Sequence, residues 1–597
     1  MIITENKNLV LIYKIVLVIL ALCSIFFGLF FVFYLRMPFP FQDMVEVFAF
    51  LDKDPLIFSL DGITKFHDME HRPVLPMFFW YLDREFFGSI GLMPLIVSNL
   101  FFLIIAILVT NLWTPKFKLK QVTSWSPILS GVALIFSLLN WHNLMWEKQL
   151  HLSFSLLLLI TAILLINKHD KKFISTSGIS SYWLIFLINL LCWAAAFSFG
   201  YGIPISFLLL LHGFAMRWPI KQLLICIFSS LLLVFTYIYL LSLRDQGIEN
   251  LFITMHSIWS ILPYIAGLLG SIFSSIGLEH ILEISPGSIA PIAGYIMLFL
   301  FFYKLVSHYH KIISGNIEVI EIGSSALLIC LSCIGMAAIT WFSRPIETGG
   351  IVDRYFIVSS IFIISLPGIF ISKEYWRRAS RWSGFVLHTL IIAFITISLL
   401  GHISNYSKLR NSWHLSSLAA IGANYEIYIP GPNQIIGPPL HQSKKLTESV
   451  WGEHKLRLKN YKKLIPFDWH GKKLNDLFND MQEDSCEGGI RKIISVPGYR
   501  ETLVFEAWTR NLKNNIFISD WILAVDQNGK IIGLGSSRRQ SFLTGSEGFI
   551  QNLRAIMNQN YSRNAGYILS KGDQVINFYS VNGRDVCKFA STLSPQS

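Results

Sequence analysis

Charge is what this sequence has least of. Only 14% of its 597 residues are Asp, Glu, Lys or Arg, while 53% are apolar; soluble domains carry roughly 25% charged residues. A soluble chain is therefore excluded. The apolar residues recur in runs of about 18 to 25 across 1–401, which also excludes a soluble enzyme with one anchor. A removable leader is lacking: the run Leu9 to Leu35 behind Lys7 is too long for a signal-peptide core and offers no small-residue cleavage site, so it is expected to stay as a first helix. No internal repeat and no low-complexity tract stands out.

Cysteine is sparse and scattered, with seven in all. Cys23, Cys192, Cys226, Cys330 and Cys333 fall inside apolar runs, where thiols pack as small hydrophobes. Cys330-Leu-Ser-Cys333 has none of the context of a redox motif. Cys486 and Cys587 are the only pair in the polar tail, either a disulfide closing a long loop in an oxidising compartment or two free thiols. Ionisable groups are nearly missing from the apolar segments. Lys14, His212 and His388 are the main exceptions and show no partnered chain in the sequence. Proton-coupled carriers need carboxylates or His relays at membrane depth, so a transporter is disfavoured.

What is present is a mainly α polytopic pattern. Eleven apolar segments lie near 9–35, 90–113, 127–146, 150–167, 182–200, 203–216, 223–243, 289–307, 323–342, 355–372 and 383–401. A further stretch, 257–277, is interrupted by Pro263, Gly267, Gly270 and Ser271 and is read as a hairpin or re-entrant segment. With the N-terminus inside, the inner loops hold 14 basic residues, among them Lys168, Lys171, Lys172, Arg377, Arg378 and Arg381; the short outer loops hold only Lys148, Arg244, Arg344 and Arg354. That is the asymmetry of the positive-inside rule. Eleven crossings place 402–597 outside, in the periplasm of a Gram-negative host.

The tail divides into a connecting region, 402–480, and a strand-rich part, 481–597, expected to fold as a small β-sandwich. Asp526-Gln-Asn-Gly529 between apolar runs is a strong hairpin signal. With 24 Lys and Arg against 16 Asp and Glu, the tail carries no nucleic-acid footprint.

The acids concentrate instead in the first outer loop, 36–89, which holds nine against five basic residues. Its stretch Val74 to Leu82, followed by Asp83-Arg-Glu85 and Phe86-Phe87, suits a helix lying in the membrane interface. Asp43 and Glu46 sit just past the first apolar run, spaced to share a helical face. Partial burial there would raise a carboxylate pKa toward the range of a general base. Trp141, His142, Asn143, Trp146, Glu147 and Gln149 gather at one outer helix junction, where aromatic planes beside polar groups suit a sugar ring and interfacial tryptophans are the commoner reading.

The elements Phe41-Gln-Asp43-Met-Val-Glu46, His67-Asp-Met-Glu70-His71-Arg72-Pro73, Asn143-Leu-Met-Trp146-Glu-Lys-Gln149, Phe197-Ser-Phe-Gly200-Tyr-Gly202 and Asp353-Arg354-Tyr355, on this architecture, resemble the GT-C integral-membrane glycosyltransferases that use polyprenyl-phosphate sugars. More narrowly, they resemble bacterial members acting on cell-surface glycans such as the O-antigen. Trp521 to Asp526 with Gly529 and Gly533 looks like the small β-domain appended to some of them.

The resemblance implies a catalytic domain over 1–401 in the bacterial inner membrane, a polyprenyl-phosphate-linked donor, a lipid-linked glycan acceptor and contact with membrane lipids. It implies an inverting transfer with Asp43 as the base, Glu46 being equally placed and Asp68 or Glu70 alternatives. Arg72, Arg344 and Arg354 would meet the departing phosphate. His67, His71, Trp146, Glu147, Gln149, Tyr201 and Asp353 complete the expected substrate-binding set. No cofactor is fixed, and a divalent cation stays open.

One rival pattern overlaps. His67-Asp-Met-Glu70-His71 matches the H-x-x-E-H of inverted zinc metallopeptidases, although Pro73 and Pro76 limit a helix there and no third ligand is evident. A flippase of lipid-linked sugars is the other alternative.

Overall fold

The computed structural model describes residues 7–36, 74–88, 90–114, 125–175, 180–242, 258–276, 288–314, 323–342, 355–370, 381–424, 467–478, 486–496, 499–511, 521–539, 562–569, 574–582 and 585–593. They form a helical unit, ending at Asn405, and a second unit built around residues 406–597.

In the helical unit each of the eleven apolar segments carries helix. The reason is elementary: a long uncharged run away from water must satisfy its backbone groups within itself. The helices are α1 (Lys7–Tyr34), α2 (Val74–Phe87), α3 (Leu92–Thr110), α4 (Ser126–Ile135), α5 (Trp141–Met145), α6 (Leu150–Ser175), α7 (Ser180–Phe199), α8 (Gly202–Ala215), α9 (Ile220–Ser242), α10 (Ile261–Ser275), α11 (Ile289–Ile313), α12 (Gly323–Phe342), α13 (Phe356–Phe370) and α14 (Arg381–Asn424). Among the described residues, eight helical stretches are long and apolar enough to cross a membrane; those within α8, α10, α12 and α13 are shorter. The stretch 257–277 holds a helix after all, α10, whose Gly270 and Gly294 of α11 sit against each other's backbones. A Cβ on Gly270 would collide with the Ala290 carbonyl, and one on Gly294 with the Ala266 carbonyl. Small residues thus let the two helices approach more closely than side chains permit.

The segment 127–146 does not form one straight helix. It ends as α4 at Ile135 and continues through a 3-10 turn (Leu138–Asn140), α5 and a second 3-10 turn (Glu147–Gln149) before α6 begins. A broken helix frees backbone groups that something must bond. Asn140 Nδ2 donates to the Leu134 and Ile135 carbonyls at 3.2 and 3.1 Å and lies 3.1 Å from Ser360 Oγ. The Leu138 N–H donates to His402 Nδ1 at 3.3 Å, and the other ring nitrogen of His402 lies 2.9 Å from Ser24 Oγ. Ser137 Oγ donates to the Ser398 carbonyl at 2.9 Å, and Ser398 Oγ to the Ala133 carbonyl at 2.6 Å. Side chains of α1, α13 and α14 therefore hold the break open in one geometry.

The last helix passes the expected boundary at 401 without stopping and runs to Asn424. Gly401 does not end it, since no proline follows and its polar residues still find partners: Asn405 Nδ2 donates to the Gly401 carbonyl at 3.1 Å.

In the second unit the strands are β1 (Cys486–Val496), β2 (Tyr499–Asn511), β3 (Trp521–Val525), β4 (Ile531–Arg539), β5 (Ser562–Leu569), β6 (Val575–Asn582) and β7 (Asp585–Leu593). The alternation predicts a two-sheet sandwich; the strands form instead a single antiparallel sheet in the order β1-β2-β5-β4-β3-β6-β7. The sheet curls until its edge strands meet: Cys486 of β1 and Cys587 of β7 form a disulfide with Cα atoms 5.9 Å apart. Its concave side buries alternate residues, Leu503, Phe505 and Ala507 of β2 with Ile522, Ala524, Ile568 and Phe578. Within this unit, which takes in residues 406–424 of α14, Trp413 packs on Trp521 of β3 and His414 lies 3.2 Å from Ser536 Oγ of β4.

The expected β3–β4 hairpin is present. Asp526 Oδ1 accepts from the Asn528 and Lys530 N–H groups at 2.9 and 2.8 Å, and Gly529 adopts the φ of +76° that the turn requires. The segment 467–478 pairs along this hairpin. There burial, and secondly the Lys530 charge, pull the His470 pKa below its ordinary value.

Because the disulfide spans 101 residues and holds the two sheet edges together, the double substitution Cys486→Ser, Cys587→Ser is expected to destabilise the sheet by about 2 to 5 kcal/mol. Urea unfolding followed by strand circular dichroism measures this. An unchanged midpoint would mean that the edges are held by their packing alone.

Candidate functional site

The break between α4 and α6 carries an unusual density of buried polar groups. Asn140, His142, Asn143, Glu147, Lys148, Gln149 and His151 are all buried within twelve residues of sequence, together with Trp141 and Trp146. Charged and amide side chains are seldom fully buried without a structural or functional cause. The expected substrate-binding residues Trp146, Glu147 and Gln149 are thus brought together here. Trp141 and Trp146 are 6% and 3% exposed, which rules out the reading of them as an interfacial belt.

Geometry gives this cluster two walls. Trp141, His142 and Trp146 form a column of near-parallel rings, with centroids 4.9 and 5.0 Å apart and interplanar angles of 20° and 13°. Lys148 Nζ stands 5.8 Å from the Trp146 ring centre. The second wall begins at His151, whose ring lies 4.5 Å from that of Phe199; Phe199 in turn meets Tyr201 edge-on at 4.6 Å. Tyr201, named from its motif, therefore belongs to the same neighbourhood, its hydroxyl 3.5 Å from that of Thr340.

The expected helix over Val74 to Phe87 is present as α2, and its N-terminal part packs on the junction. It buries Met77 and Trp80 and leaves Leu75, Phe78, Phe86 and Phe87 exposed. Trp80 Nε1 donates to the Glu147 carbonyl at 3.4 Å, and its ring faces His151 with centroids 6.5 Å apart. Phe79 packs edge-on against Phe101 and Phe154. One acid of the outer loop acts locally, since Asp83 accepts the Gly91 N–H at 2.6 Å and so fixes the turn into α3.

Asp43, Glu46, His67, Asp68, Glu70, His71, Arg72, Arg344, Asp353 and Arg354 lie outside the described residues. Among the described residues no group of three His, Cys, Asp or Glu is placed to hold a metal ion.

Two features escape the sequence reading. Asn99, in the apolar run of α3, reaches the junction by donating from Nδ2 to the Leu144 carbonyl at 2.9 Å. A lone amide in an uncharged run is the signal that marks it. The second feature corrects the view that His212 lacks a partnered chain. About 30 Å along α6 from Leu150, at 1.5 Å per residue, Asp170 is fully buried. It lies 2.8 Å from His212 Nε2, accepts from Trp218 Nε1 at 2.8 Å, and has His169 Nδ1 at 3.7 Å. His212 Nδ1 is 3.2 Å from the Tyr309 hydroxyl. These partners come from α6, α8, α11 and the turn before α9, so sequence distance hides the network.

No protein-family profile matches this chain, and no curated protein or solved structure does either.

Proposed function

We propose that this chain is an inverting membrane glycosyltransferase of the GT-C type, moving a sugar from a polyprenyl-phosphate donor to a lipid-linked surface glycan such as the O-antigen. The observation that carries this reading is the junction itself: ring faces and neutral amides, shut away from water under an amphipathic helix. Sugar recognition requires flat apolar surface beside hydrogen-bonding groups. The segment bearing Asp43, Glu46 and Arg72 leads directly into α2 in sequence.

In this reaction a carboxylate takes the acceptor hydroxyl proton. The acceptor oxygen then attacks the anomeric carbon, and the bond to the donor phosphate breaks on the opposite face. Negative charge builds on the departing phosphate, which Arg72, Arg344 and Arg354 would meet with bidentate hydrogen bonds.

The test uses purified protein in detergent with a panel of polyprenyl-phosphate-linked sugars and a lipid-linked glycan acceptor. Acceptor-dependent release of polyprenyl phosphate is the expected result. A second reading, a flippase of lipid-linked sugars, is favoured by the Asp170–His212–Tyr309 network, since buried titratable chains occur in carriers. Lipid movement in liposomes, with no release across the whole donor panel, would support it instead.

Orientation is a further expectation. A reporter fused after Ser597 should be active on the outer face and one inserted within 373–381 on the inner face, because Arg377, Arg378 and Arg381 hold that loop inside. The reverse at either point would overturn the placement of the acidic loop. An outer location also suits the Cys486–Cys587 disulfide.

A further inference from the structure

Several buried polar atoms around the broken segment have no hydrogen-bond partner among the described residues: Trp141 Nε1, Asn143 Oδ1 and Nδ2, Gln149 Oε1 and Asn99 Oδ1. Asn99 belongs with the others because its own Nδ2 is bonded to Leu144, the neighbour of Asn143. Asn143 is wholly buried and Gln149 is 2% exposed. Native chains rarely leave such atoms dry, and where they do the missing partner is commonly a ligand or an ordered water. Ser137 and Asn140 of the same break, by contrast, have side chains bonded to partners within the protein.

The kinds of atom narrow the partner. Two groups donate, the Trp141 ring N–H and the Asn143 amide, and three carbonyl-type oxygens accept. A phosphate or carboxylate would need donors or cations alone, and an ammonium would need acceptors alone. Hydroxyls do both, so a ring bearing several of them satisfies a mixed set. The column of Trp141, His142 and Trp146 supplies flat apolar surface beside it. Glu147 and Lys148, the two charged residues of the segment, are adjacent and cancel in formal charge.

We infer that Asn99, Trp141, Asn143 and Gln149 form a hydroxyl-reading subsite for an uncharged sugar ring, separate from the groups that hold the donor phosphate. It rests on the transferase reading and adds to it the part of the substrate recognised here and its charge.

The test is Asn143→Leu in the full-length protein, with two readouts. Without substrate, the variant should unfold about 1 to 4 °C higher than the parent, because an apolar side chain of similar size replaces an unpaired amide. With polyprenyl-phosphate-linked glucose, galactose and glucuronic acid as probes, the parent should use a neutral sugar. The variant should then lose at least about tenfold in kcat/KM for it, while affinity for free polyprenyl phosphate stays within about twofold. Gln149→Met, which removes the unpartnered Oε1, carries the same kinetic expectation, so failure of one variant to fold leaves the other as the test. A lower unfolding temperature in both variants, an unchanged kcat/KM, or a preference for the glucuronic acid donor would each overturn the subsite. Transfer that persists unaltered in the variants removes this inference and leaves the transferase standing; no transfer and no binding of polyprenyl phosphate removes both.

Discussion

Asp43→Asn is expected to abolish turnover while expression and binding of the donor lipid persist. Carboxylate and amide are nearly equal in size and shape, so the fold has little cause to change. The amide cannot take a proton from the acceptor hydroxyl, and losing a general base typically lowers the rate by about 10² to 10⁴. Donor binding precedes that proton transfer, so the donor affinity should stay near its parent value. Arg354→Ala should differ, weakening donor binding as well as turnover, because the phosphate contact proposed for it would form before the transition state. Glu46→Gln is the matched control, three residues along. If it removes activity while Asp43→Asn keeps most of it, Glu46 is the base. If both variants remain active, the base lies among the acids of 67–72, or the chain does not catalyse transfer.

Some of the architecture is legible because its causes are local. An uncharged run of bilayer length has only the helix available to it, and the runs at 9–35, 150–167 and 383–401 lie on α1, α6 and α14. The hairpin at Asp526 to Gly529 is equally local, because one carboxylate and one glycine set the turn. The helix break is not legible in this way. Ser137 and Asn140 pass in a hydropathy average as tolerated polar residues. Their meaning lies in Ser398 and Ser360, 261 and 220 residues away. Strand order is non-local for the same reason. The alternation that marks β2, β3 and β6 is the same for a sandwich as for one curled sheet, and only the long-range pairing of β2 with β5, β5 with β4 and β3 with β6 tells them apart. At the junction, Trp146, Glu147 and Gln149 are readable because they are neighbours in one motif. Asn99 is not, since Leu144 lies 45 residues further on.

Asp170→Ala is expected to be the most destabilising single substitution in the helical unit. Its carboxylate accepts from Trp218, faces His212 at 2.8 Å, and is completely buried. Removing it strands the Trp218 N–H and the Nε2 of His212 in a place water does not reach, and breaking such a buried pair costs about 3 to 5 kcal/mol. Asp170→Asn should cost less, since one amide oxygen still accepts while the NH₂ group opposes one of the donors. The informative chain is the double substitution Asp170→Leu, His212→Leu. Replacing both partners by apolar groups of similar size removes their own desolvation penalty together with their attraction, so part of the stability should return, while the Trp218 N–H and the Tyr309 hydroxyl lose these partners. Thermal unfolding in detergent ranks the three. The double variant also separates the two functional readings. A folded double variant that still transfers sugar at the parent rate makes the network a clamp binding α6 to α8 and α11. A folded double variant that loses function, with lipid movement lost in parallel, makes Asp170 and His212 a proton-handling pair and tips the balance toward the flippase.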